Sequence, residues 1–75
     1  FISFFIWEVI MDLIVNGELK HVVGEQLHLV LDELGYSDKH FVVELNGEVI
    51  SKDKYTTTKL TAADRLEIVS FVGGG

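Results

Sequence analysis

Two Asn-Gly dipeptides, Asn16-Gly17 and Asn46-Gly47, constrain the fold of this chain more than any other feature. A two-residue type I′ turn needs positive φ at both central positions, and asparagine followed by glycine adopts that pair most readily. Residues suited to strands flank both. Asp12-Leu13-Ile14-Val15 leads into the first dipeptide and the chain returns through Leu19 to Val23, where Gly24 and Glu25 close the strand. Phe41 to Leu45 leads into the second, and Val49 and Ile50 resume the apolar pattern after it. Two β-hairpins are therefore predicted.

Between them the period changes. Leu27, Val30, Leu31 and Leu34 follow the i, i+3, i+4, i+7 spacing of one helical face, and Gly35 supplies a natural C-terminal stop. Ser51 to Thr61 carries polar turn formers around Tyr55 and Leu60, which predicts a short irregular or 3₁₀ connection. A last strand is predicted over Arg65 to Val72, with Leu66, Ile68, Val69 and Phe71 buried. The expected class is α+β: a mixed sheet of four to five strands packed on one main helix. If the first and last strands are neighbours they run parallel at the centre, and the final residues project from the end of the sheet.

A chain of 75 residues buries only about 60% of the surface its unfolded form exposes, which leaves little room for an enclosed active site. Its 48% hydrophobic content and five Phe indicate a packed core rather than disorder. Cysteine is absent, which removes disulfides, thiolate metal sites and a cysteine nucleophile, and suits a reducing cytoplasm. Twelve acidic residues against six basic ones give a formal charge of −6, which repels phosphate backbones and favours basic protein surfaces over nucleic acid. No apolar run reaches the roughly 18 to 20 residues of a membrane-spanning helix, so no membrane association is expected.

Phe1 to Ile10 is the one composition break, almost wholly apolar apart from Ser3 and Glu8. It lacks the basic start and small-residue cleavage site of a signal peptide, and it is too short to span a membrane. The expected organisation is an apolar extension over 1–10, read either as a non-native addition or as an extra strand or self-association patch, and one domain over 11–75 whose tail, 72–75, is flexible.

That tail, Val72-Gly73-Gly74-Gly75, holds the most informative chemistry. Three glycines offer the loosest and narrowest backbone a chain can present, so they can thread a tunnel and carry the Gly75 carboxylate to a distant reactive centre. Triglycine by itself is equally the mark of a frayed terminus.

From Met11 to Gly75 the chain resembles the ThiS family, the sulfur carriers of thiamine biosynthesis. The resemblance rests on Met11-Asp12-Leu13-Ile14-Val15-Asn16-Gly17, on Val43-Glu44-Leu45-Asn46-Gly47-Glu48-Val49-Ile50, and on Asp64-Arg65-Leu66-Glu67-Ile68-Val69-Ser70-Phe71-Val72-Gly73-Gly74-Gly75. It implies a ubiquitin-like β-grasp fold and a carrier without catalysis of its own. An E1-like adenylyltransferase of the ThiF family would use ATP to adenylate Gly75, with Val72, Gly73 and Gly74 threading the partner. A donor such as a cysteine desulfurase would supply sulfur, giving a C-terminal 1-thioglycine, and thiazole synthase of the ThiG family would receive it. The chain departs from the common family ending of two glycines by having three. Two other readings share fold and tail: the small subunit of molybdopterin synthase, and a ubiquitin-like modifier that joins Gly75 to a lysine.

Other polar groups carry less. His21, His28 and His40 lack the spacing of a metal site, so no metal ligands are assigned. Asp53, Lys54 and Tyr55 have the right chemistry for acid, base and phenol but no framing motif, so no catalytic residue is assigned. Asp64 is read as a turn former before the last strand. Asp32, Glu33, Glu44 and Glu48 are read as a solvated surface able to steer a basic partner.

Overall fold

A computed structural model describes residues 10–36 and 40–71. Among these residues, five strands form one sheet: β1 Met11–Val15, β2 Glu18–Val22, β3 Phe41–Leu45, β4 Glu48–Ile50 and β5 Arg65–Ser70, in the order β2-β1-β5-β3-β4. Helix α1, Leu27–Glu33, and a 3₁₀ turn, Lys52–Lys54, fall between strands. Both Asn-Gly pairs form the expected hairpin turns, with φ of 50° and 84° at Asn16 and Gly17 and 51° and 89° at Asn46 and Gly47. β1 and β5 pair in parallel at the centre, while β3 runs antiparallel to β5.

The helix is only seven residues long, too short to hold itself in water, so its ends are fixed from outside. At its start Leu27 and His28 donate their N–H groups to the carbonyls of Thr58 and Tyr55. Orphan donors of the first turn are thereby satisfied by the connection leading to β5. At its end Gly35 takes φ +93°, its N–H donating to the Asp32 carbonyl while Tyr36 N–H donates to that of Leu31. This is the paired-bond stop that glycine favours.

Leu27, Val30 and Leu31 of α1 pack on Leu13 and Val15 of β1, Val43 of β3, and Leu66 and Ile68 of β5, with Val22 and Leu60 closing the sides. All are buried. Leu34, at the helix end, is partly buried against this cluster.

Four expectations need correction. Val69 and Phe71 are exposed, at 59% and 57%, rather than buried. Strand alternation turns Leu66 and Ile68 inward, so Val69 and Phe71 share the opposite parity. The last strand ends at Ser70 rather than continuing to Val72, and β2 ends at Val22 rather than Val23. Glu33 is also more than a solvated surface acid: its carboxylate accepts the N–H groups of Val23 and Gly24, holding the end of the first hairpin against the helix.

Candidate functional site

The end of β5 is where the chain leaves the sheet, and the two hairpin turns hold that strand. On one side Asn16 N–H donates to the Leu66 carbonyl, and the Asn16 amide reaches Ile68 through both of its polar atoms. On the other, Asn46 N–H donates to the Arg65 carbonyl and its Oδ1 accepts from Arg65 N–H. Asp64 completes the second clamp, accepting from Asn46 Nδ2 at 3.1 Å and from Thr61 N–H at 2.8 Å. Its expected part as a local turn former is thus seen in the structure. Asn16 and Asn46 were legible as turn residues only. Their grip on β5 carries no local sequence signal, since the partners lie far along the chain.

Beyond the clamps, Phe71 N–H donates to the carbonyl of His40, the residue before β3, at 2.8 Å, so the pairing continues one residue past the end of each strand. Val72, Gly73, Gly74 and Gly75, the expected tail and attachment site, lie outside the described residues. So does the expected extension apart from Ile10, which is exposed.

The remaining candidates do not converge. His21 Nδ1 pairs across the hairpin with Asp12 at 2.5 Å on the exposed surface, whereas His28 Nδ1 is buried with no hydrogen-bond partner among the described residues. Among the described residues no group of three or more His, Cys, Asp or Glu could hold a metal ion. Tyr55 points inward and stacks on Phe41, with ring centroids 6.0 Å apart, and burial pushes its phenol above the ordinary value of 10.0. The Lys54 carbonyl accepts from the Thr57 and Thr58 hydroxyls. Asp53, Lys54 and Tyr55 therefore sit in a structural turn. An open groove of about 630 Å³, lined by His28, Leu31, Phe41, Ile50 and Tyr55 among others, flanks the helix. Among the described residues no helix is long and apolar enough to cross a membrane.

Comparison with known proteins agrees with this architecture. The thiamine biosynthesis protein ThiS of Geobacter metallireducens, known from a crystal structure, superposes with a TM-score of 0.73 at 33% identity, covering 87% of this chain and all of that one. Thiazole synthase of Paramagnetospirillum magneticum is 36% identical over 66 residues, 87% of this chain but only 20% of that protein. The chain thus spans about a fifth of the curated thiazole synthase it matches. Sulfur carrier protein ThiS of Bacillus subtilis is 47% identical over 38 residues, 51% of this chain and 58% of that one. The ThiS family model matches residues 13–75. With the five strands and one helix in place, this match shows that the chain belongs to the ThiS family of sulfur carriers with the ubiquitin-like β-grasp fold.

Proposed function

We propose that this chain carries sulfur for thiamine biosynthesis on the carboxylate of Gly75. The observation that supports this best is the path of β5: clamped on both sides and tied to His40 through Phe71, it leads directly into Val72-Gly73-Gly74-Gly75. A rigid domain thereby presents a narrow segment without bulky side chains to a partner's cleft.

The chemistry belongs to the partners. A carboxylate is a poor acyl donor, because an oxide leaves badly. An adenylyltransferase of the ThiF family would join the Gly75 carboxylate to the α-phosphate of ATP, releasing pyrophosphate. A persulfide sulfur, delivered by a cysteine desulfurase, would attack the resulting anhydride and displace AMP; reductive cleavage of the S–S bond by a thiol would leave the thiocarboxylate. The likeness of most of this chain to part of two thiazole synthases supports thiazole synthase as the acceptor. No resident cofactor is required of the carrier itself.

Removing Gly75 should abolish ATP–pyrophosphate exchange by the source organism's ThiF-family enzyme, with stability within about 0.5 kcal/mol of the parent. Full exchange in the shortened chain, which ends Gly73-Gly74, would refute Gly75 as the residue whose carboxylate is adenylated. Intact mass of the protein recovered from its host separates the other readings. A species heavier by the difference between sulfur and oxygen supports a carrier, while a lysine-linked adduct supports a modifier. Co-purification with thiazole synthase rather than a molybdopterin synthase large subunit assigns the pathway.

A further inference from the structure

Antiparallel strands turn alternate residues toward one neighbour and then the other. In β5 the phase is set by Phe71, whose N–H donates to His40 across the register that pairs Phe41 with Ser70 and Val42 with Val69. Phe71, Val69 and Glu67 accordingly direct their backbone groups toward β3. Leu66, Ile68 and Ser70 direct theirs toward the side of β1.

On that side the partners run out one step before the chain leaves. Leu66 is paired with Val15 and accepts from Asn16 N–H. At Ile68 the Asn16 side chain stands in for a strand, accepting the N–H and donating to the carbonyl. Ser70 comes next, is exposed, and has no backbone partner on that side among the described residues. It is a short open stretch of ladder beside a clamped strand.

We infer that this Ser70 edge receives an extended strand of the adenylyltransferase that activates the Gly75 carboxylate, adding to β5 in line with β1. The inference rests on the carrier reading above. What selects the occupant is reach: four residues, Val72 to Gly75, follow Phe71, and fully extended they span at most about 14 Å. Any enzyme closing on that carboxylate is bound to approach Ser70. The exposed Val69 and Phe71, alternating with Ser70 along the strand, offer it apolar footing on one sheet face. Main-chain bonds then set register and flanking side chains add specificity, as in other strand additions.

The test isolates one backbone N–H. Semisynthesis of the C-terminal segment replaces the amide between Val69 and Ser70 with an ester, which removes the donor and keeps the shape. Ser70→Pro removes the same donor by mutation, and Ser70→Ala removes only the hydroxyl. Each chain is assayed for kcat/KM in ATP–pyrophosphate exchange with the source organism's ThiF-family enzyme, beside a thermal melt and a chain lacking Gly75. The ester and Ser70→Pro chains are expected to lose about fivefold or more, mainly through KM, with parental melts. Ser70→Ala should match the parent. Parental kcat/KM in the ester chain overturns the inference while leaving the carrier reading intact, and so does an equal loss in Ser70→Ala. A parent chain that is not adenylated at all refutes the carrier reading itself, and this inference with it.

Discussion

The side chain of Asn16 brackets the backbone of Ile68, its Oδ1 accepting the N–H at 2.7 Å and its Nδ2 donating to the carbonyl at 3.3 Å, across 52 positions of sequence. A turn residue thus does the work of one further residue of β1. Replacing Asn16 by Ala should destabilise the domain by about 1–3 kcal/mol, because two partly buried backbone groups lose their partners. The positive φ at this position adds further strain for alanine. Asn16→Gly relieves that strain but not the lost bonds, so it should remain less stable than the parent in urea denaturation. Parental stability in Asn16→Gly would show that the bracket contributes nothing.

Leu31 joins α1 to the sheet and is 3% exposed. Leu31→Ala should lower stability by roughly 2–5 kcal/mol through lost burial and the cavity left behind. An unchanged denaturation midpoint would contradict the packing of the helix on the sheet.

Tyr55 gives the domain a pH dependence at the alkaline end. Burial raises its phenol above 10.0 in the folded state, whereas the unfolded chain ionises near the ordinary value. The unfolded state therefore gives up its proton first as pH rises. The contribution of the neutral phenol is complete below 10.0 and is lost as pH climbs through the folded value. Stability measured across this range should fall in the parent and fall less in Tyr55→Phe. Identical slopes in the two chains would exclude Tyr55 as the source.

A chain lacking residues 1–9 should keep a single cooperative unfolding transition. The buried cluster from Leu13 to Ile68 draws on both hairpins, the helix and β5, so residues from Met11 onward supply a core of their own. A gradual, non-cooperative melt by circular dichroism would place part of the core in the removed segment.

Local chemistry made most of the fold legible. Asn-Gly at 16 and 46 specified the turns because few other pairs tolerate two positive φ angles. The spacing of Leu27, Val30 and Leu31 specified the buried helical face, since the 3.6-residue period is a property of the chain itself. The site was less legible. Asp64 was correctly read as a turn former, but the reach of Asn16 to Ile68 and of Asn46 to Arg65 depends on residues brought together only by folding.

Val69 and Phe71 mark the boundary most clearly. Hydrophobicity suggested burial for both, yet their parity along β5, set by Leu66 and Ile68 facing α1, puts them on the exposed face. The sequence by itself determined the elements, their order and the glycine tail, because turn geometry, helical period and backbone freedom are local properties. Only the tertiary structure decided that β5 lies between β1 and β3, and that Asn16 ends the ladder at Ile68 and leaves Ser70 open among the described residues. Those depend on which strands meet and in what register, and that choice is made by burying one shared face against the helix.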